Sequence, residues 1–194
     1  MPASGTRRHG LFLAASGGGA YVPRVGVPLF HVVLVEPEIP NNTGNIGRSC
    51  VATGCALHLI RPLGFDTSAK ACRRAGLDYW ARLAPTEHES WWAYLSATGA
   101  VERWFFTTKT TRTLTGAAAP SISRGAHLVF GKETAGLAPA LLAEHAERLV
   151  TLPMRTDERS LNLATAVCAV IYLGIDALQR RGETGVNAAG RLTE

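Results

Sequence analysis

Apolar and polar positions alternate along the chain in blocks whose lengths fit strands and helices in turn. Residues 30–35, "FHVVLV", form an unbroken apolar run bounded by turn residues, the pattern of a strand buried on both faces. Residues 42–54 then read as a helix closed by Gly54. "LHLI" (57–60) is a second strand, "SAKACRRAG" (68–76) a short helix, "ESWWAYLSATG" (89–99) a helix and "ERWFFTT" (102–108) a strand. "HLVFG" (127–131) is a further strand, followed by "LAPALLAEH", where Pro139 suits a first helical turn. "RLVTLP" (148–153) is the last strand, and "NLATAVCAVIYLGIDALQRR" (162–181) the last and longest helix. The alternation predicts an α/β fold: a mostly parallel sheet with helices on both faces. From Leu163 to Ile175 the last helix is apolar on nearly every side, which a lone surface helix does not tolerate. Either the core wraps it or a second subunit covers it, and a homodimer is the favoured expectation.

The full chain has 194 residues and is 46% hydrophobic, enough for one domain with a sizeable core. Three segments follow from the pattern: a flexible extension over 1–28, a domain over 29–181 and a flexible tail over 182–194. "LFLAA" in the extension faintly resembles a signal peptide, but it falls short of the roughly seven apolar residues of an h-region. No unbroken apolar run reaches the roughly 18 residues of a membrane span, so a cytoplasmic protein is expected. Cys50, Cys55, Cys72 and Cys168 show no CxxC spacing, and the six histidines form no ligand pattern along the chain, so no metal is expected. Net charge is +5, but Arg7, Arg8 and Arg24 supply three of those charges with no acid among residues 1–28. The remaining +2 is compatible with RNA binding without arguing for it.

Ligands of open α/β sheets collect at the carboxyl ends of the strands. Four loops follow strands directly: "PNNTGNIGR" (40–48), "TTKTTRT" (107–113), "GKETAGL" (131–137) and "LPMRTDERSLN" (152–162). They are expected to share one rim. The first misses both the GxGxxG fingerprint and the P-loop. Its glycines imply that something approaches the backbone closely. Asn41 or Asn42 would cap the helix, or the helix start would bind an anion with Arg48 in its early turns. Ser160 and Asn162 precede the last helix, and capping accounts for only one of them.

The ordered set "EPEIPNNTGNIGR", "RPLGF", "RRAGLDY", "TTK", "FGKETAGL", "LPM" and "RSLNLATAV" resembles the SPOUT class of RNA methyltransferases. Within it the resemblance is to the small tRNA 2'-O-methyltransferases acting on the wobble nucleotide, over about residues 30–180. It implies a C-terminal deep trefoil knot, an antiparallel homodimer, S-adenosylmethionine as cofactor and the anticodon loop of tRNA, a leucine tRNA among them, as partner. Carried over residue by residue, cofactor contacts fall at Phe106, Thr107, Gly131, Leu152 and Ser160. The catalytic set is Asn42, Arg48, Glu133, Ser160 and Asn162. Family accounts cast the arginine as the base; because a guanidinium stays protonated, the alternative is that Arg48 clamps a phosphate and stabilises the developing alkoxide, and the choice between the two roles stays open. For RNA, Lys70, Arg73 and Arg74 share a helical face, Lys109 and Arg112 stand in "TTKTTRT", and Tyr172 resembles a tyrosine near the RNA; solvated or core roles are the alternatives. Two rival functions stay open: a 2'-O-methyltransferase of another tRNA or rRNA position, and a non-catalytic RNA-binding knotted protein.

Overall fold

The computed structural model describes residues 27–74 and 76–193; the side chains of Ala69 and Arg73 lie outside what it describes. The extension expected over 1–28 falls almost wholly outside the described residues. In chain order the elements are β1 (His31–Val35), α1 (Pro40–Thr53), β2 (Ala56–Ile60), α2 (Ala69–Arg74), α3 (Trp80–Leu83), β3 (Thr86–His88) and α4 (Trp91–Thr98). There follow β4 (Arg103–Phe106), β5 (His127–Phe130), α5 (Pro139–Glu144), β6 (Leu149–Val150), α6 (Leu163–Arg180), β7 (Gly185–Val186) and β8 (Leu192–Thr193).

Six strands form one all-parallel sheet in the order β3-β2-β1-β5-β4-β6. Because every strand runs the same way, the loops after β1, β4, β5 and β6 leave one edge side by side. Both faces are covered. On one, α1 and α6 pack over Val32, Leu34, Leu57, Leu128 and Phe130. On the other, α4 and α5 cover Val33, Ile60, Phe105 and Val129. Alternate strand residues therefore feed two cores, as the unbroken apolar runs require.

Two elements differ from the sequence reading. The segment Trp80–Leu83 is helical and Thr86–His88 is an edge strand; "TEH" is polar because Thr86 and Glu87 face water. The tail expected over 182–194 carries the antiparallel β7-β8 hairpin. A further difference concerns α6, whose 18 residues are long and apolar enough to cross a membrane by length and composition. One face lies in the core through Val167, Val170, Ile171, Gly174, Ile175 and Leu178, while Tyr172 on the other is 55% exposed. A core role for Tyr172 within this chain is thereby set aside.

The sheet register also assembles four histidines. His31 pairs with His127 across β1 and β5, and His58 and His88 follow on β2 and β3. His31 Nδ1 and His58 Nε2 are 2.9 Å apart, His58 Nδ1 and His88 Nε2 3.0 Å, and His127 Nδ1 lies 2.7 Å from the Tyr94 hydroxyl. Ligand atoms of His31, His58 and His127 lie within 4.8 Å of one another. The His31 and His127 rings are nevertheless stacked, 4.2 Å apart and 1° from parallel. Lone pairs lie in the ring planes, so these two cannot address one ion without reorienting. A hydrogen-bonded set of neutral imidazoles fits the geometry better.

Candidate active site

The start of α1 explains how the first loop is held. Pro40 occupies the first helical turn, and the residue before it, Ile39, is the N-cap without any side-chain cap bond. Neither Asn41 nor Asn42 caps the helix, contrary to the sequence expectation. The carboxylate of Glu133, from the loop after β5, sits there instead. It accepts from the Glu38 N–H (2.9 Å), the Ile39 N–H (3.3 Å) and Asn42 Nδ2 (3.0 Å). The anion at this helix terminus is thus the protein's own, where the helix dipole favours it. Glu38 answers by accepting from the backbone N–H and hydroxyl of Thr134, both at 3.0 Å. Lys132 bonds Glu36 at 2.7 Å, and that carboxylate raises the lysine pKa.

Asn42 is buried and passes the connection on, its Oδ1 accepting from Asn162 Nδ2 at 3.0 Å. Asn162 is also the N-cap of α6, accepting from the Ala164 and Thr165 N–H groups at 2.9 and 3.2 Å. Capping therefore accounts for Asn162 and not for Ser160, and Asn162 does more than cap. Glu133, Asn42 and Asn162 form one hydrogen-bonded chain across three loops.

A cavity of about 750 Å³ opens beside this chain. Its wall includes Asn42, Phe106, Thr107, Lys109, Gly131, Glu133, Leu152, Ser160 and Asn162, from all four strand-end loops. The expected common rim is present. The volume falls in the range of small-molecule sites. Phe106 and Phe130 stack at 4.7 Å to make an apolar surface in its lining. A side chain at Gly131 would place a Cβ 2.1 Å from the Gly136 carbonyl carbon, so only glycine lets the 131–137 loop close here. Thr107 N–H bonds the Val150 carbonyl at 3.0 Å, which seats the β4 loop against β6.

Other predicted residues lie elsewhere. Arg48 does not line the cavity; its guanidinium lies 4.7 Å from the ring centre of Tyr79, itself held by a hydroxyl bond to the Gly44 carbonyl. Burial raises the Tyr79 pKa, with the nearby Arg48 opposing it. What approaches the α1 glycines is protein, not ligand: a Cβ at Gly47 would lie 2.9 Å from Leu83 and 3.0 Å from Trp80. Arg112 is occupied too, donating to the Glu147 carbonyl. Lys70 and Arg74 are exposed on α2, and the Arg73 side chain lies outside the described residues. Residues not singled out beforehand also line the cavity, notably Met154 and Arg159. Arg159 stood in view within "RSLN", immediately before Ser160, but neither capping nor the carried-over set pointed to it.

Residues 29–172 match the model of the SpoU rRNA methylase family. The chain belongs to the SpoU methylase family. Among curated SpoU relatives, a tRNA (cytidine(34)-2'-O)-methyltransferase of Escherichia coli (strain K12) is 45% identical over 145 residues, covering 74% of this chain and 90% of the relative. Its counterpart in Burkholderia pseudomallei is 46% identical over 147 residues, covering 74% and 92%. A solved structure described as giving "structural insights into the 2-OH methylation of C/U34 on tRNA" superposes with a TM-score of 0.72 at 38% identity, over 80% of this chain and 100% of that one. The SpoU methyltransferase AviRb from Streptomyces viridochromogenes, solved with AdoMet, shares the fold at a TM-score of 0.63 and 23% identity, over 82% of this chain and 64% of that one.

Proposed function

We propose that this SpoU-family protein transfers a methyl group from S-adenosylmethionine to the ribose 2'-oxygen of the wobble nucleotide in the tRNA anticodon loop, with a leucine tRNA among its substrates. The observation that carries the reading is the cavity where all four strand-end loops meet the Glu133–Asn42–Asn162 chain. The relatives named above bear that activity in their names, and this chain spans about nine-tenths of their length. A tRNA substrate supports a cytoplasmic location.

The residues present fit the cofactor. Phe106, Phe130 and Leu152 offer apolar surface to an adenine, while Gly131 and Leu152 also offer backbone groups. When bound, the cofactor supplies a methyl activated by its sulfonium. The chain's own task is to present the ribose and dispose of its proton. Ser160, exposed at the cavity, and the amide of Asn162 are placed to hydrogen-bond a sugar hydroxyl. Asn42 and Glu133 fix the orientation of Asn162, and errors of about an ångström in such placement are costly. A 2'-oxygen taking the methyl would have to give up its proton to water or a neighbouring phosphate, because the guanidinium of Arg48 is already protonated and cannot take it.

Arg48 does not line the cavity of its own chain, so an essential role for it calls for a second copy supplying it. An antiparallel homodimer built on the exposed side of α6, around Tyr172, meets that need. A trefoil knot in the C-terminal part is supported by the setting of β6. That strand pairs with β4 on one edge, and on the other Thr151 bonds Arg112 and Leu114 of the β4–β5 connection, at 2.9 Å each. The chain thus passes between β4 and the connection that leaves it.

Incubating the protein with labelled S-adenosylmethionine and total tRNA, and in parallel with ribosomal RNA, then mapping ribose methylation, tests the function. Label at the wobble ribose is expected. Label at another tRNA or rRNA position selects the first rival, and cofactor binding without any transfer selects the non-catalytic one.

A further inference from the structure

Among the described residues, four ionisable ones line the cavity: Lys109, Lys132, Glu133 and Arg159. Two of them are spoken for. Lys132 is paired with Glu36, and the Glu133 carboxylate accepts from three donors. The side chains of Lys109 and Arg159 have no hydrogen-bond or ion-pair partner among the described residues, and both are exposed. Their neighbours show that this is a property of position. Arg155, four residues before Arg159 in the same loop, pairs with Asp157 at 3.1 Å, and Arg112 in the Lys109 loop is bound to a carbonyl. Among the described residues, the one guanidinium that lines the cavity is therefore Arg159, with Arg48 placed over Tyr79.

Two unpaired cations beside a cavity call for an anion. S-adenosylmethionine bears a sulfonium, an ammonium and one carboxylate, a net positive charge. Two cations gain nothing from it overall and much from a phosphodiester backbone. Arg159 also adjoins Ser160, on the same stretch that delivers Asn162 to the ribose. A guanidinium fork matches two phosphate oxygens, which a lysine cannot do.

We propose that Arg159 grips a phosphodiester of the RNA beside the nucleotide whose ribose enters the cavity, with Lys109 as the second phosphate contact. The role rests on the methyltransferase reading above and adds to it a residue that positions substrate. It makes the loop after β6 bifunctional: its backbone faces the cofactor and its arginine faces the RNA.

The test uses Arg159→Ala and Arg159→Lys in the full-length protein, with calorimetry for S-adenosylmethionine, tRNA binding from about 50 to 200 mM salt, and methyl transfer. For Arg159→Ala, tRNA binding is expected to weaken roughly tenfold and its salt slope to fall by about one, with cofactor affinity unchanged. Arg159→Lys is expected to restore the salt slope but only part of the affinity. A loss of cofactor affinity with tRNA binding intact overturns the proposal in favour of a carboxylate contact. Unchanged binding of both overturns it in favour of a solvated side chain. Wild-type protein that binds tRNA yet transfers no methyl refutes the methyltransferase reading instead, while the two binding arms still decide whether Arg159 holds phosphate.

Discussion

Replacing Glu133 by glutamine tests whether the carboxylate, rather than the shape of the side chain, organises the site. The carboxylate serves three donors: Glu38 N–H at Oε2, and Ile39 N–H with Asn42 Nδ2 at Oε1. A glutamine keeps one oxygen. Its best placement retains the two donors at Oε1 and turns its NH2 toward the Glu38 N–H, donor against donor. One part-buried donor is then unsatisfied, which costs about 1–3 kcal/mol; the partial exposure of Glu133 argues for the lower half. Loss of the negative charge at the start of α1 adds about 0.3–1 kcal/mol. In a domain of this size, about 2 kcal/mol lowers Tm by roughly 4–8 °C. Thermal unfolding of Glu133→Gln, Asn42→Ala and the double variant is expected to show that drop and a coupling of about 0.5 kcal/mol or more between the two sites. Methyl transfer should fall further than stability, because Asn42 also holds Asn162. A Tm within about 1 °C of wild type, with additive variants, refutes the argument.

Four further outcomes follow from the geometry. Burial first, then neighbouring histidines, lowers the pKa of His58 to about 4 and that of His127 to about 3, with His31, His88, Tyr94 and Arg103 facing them. The unfolded chain binds protons below about pH 6.5 that the fold refuses, so stability present above that pH is lost toward pH 4 and 3, on the order of 3 kcal/mol by pH 5. Urea unfolding at pH 7.5 and 5 reads this, and equal stability at both contradicts it. Gly131→Ala forces a Cβ onto the Gly136 backbone and should weaken S-adenosylmethionine binding by more than about tenfold in calorimetry; unchanged affinity removes that loop from the cofactor site. Tyr172→Glu puts a charge on the exposed side of α6 and should shift light scattering to the monomer mass, whereas an intact dimer places the interface elsewhere. Arg112→Ala frees the Glu147 carbonyl and should cost about 1 kcal/mol of stability without changing the salt slope of tRNA binding; a reduced slope returns Arg112 to the RNA surface.

Much of the sheet was legible because a strand buried on both faces writes itself as an uninterrupted apolar run. His31–Val35, Ala56–Ile60 and His127–Phe130 do so apart from one histidine each. Thr86–His88 does not, since an edge strand half in water carries no such signature. The glycines of α1 announced a close approach but not by what: the answer, Leu83 and Trp80 against Gly47, comes from more than thirty residues downstream. Histidine spacing was equally mute. His31, His58, His88 and His127 meet through strand register, which linear separation does not encode. Of the candidate site, the ordered motifs carried Asn42, Glu133, Gly131, Leu152, Ser160 and Asn162 to one cavity. Arg48 and Arg112 went elsewhere, because a residue type and a loop fix neither the helix face nor the partner it finds.

The wiring of the site explains why its parts are so widely spaced in the chain. Asn42 and Glu133 are 91 positions apart, and Asn42 and Asn162 are 120 apart. The second contact cannot form until α6 has docked on α1 and the loop after β6 has taken its place. That loop starts from Thr151, which is bonded to the β4–β5 connection, so the cavity wall at Leu152 depends on the same passage. Cavity, linked amides and C-terminal packing are therefore one cooperative unit rather than a preformed pocket with appended residues. A ligand that fills the cavity binds this assembled unit in preference to the unfolded chain, so cofactor binding draws on the same free energy that keeps α6 in place.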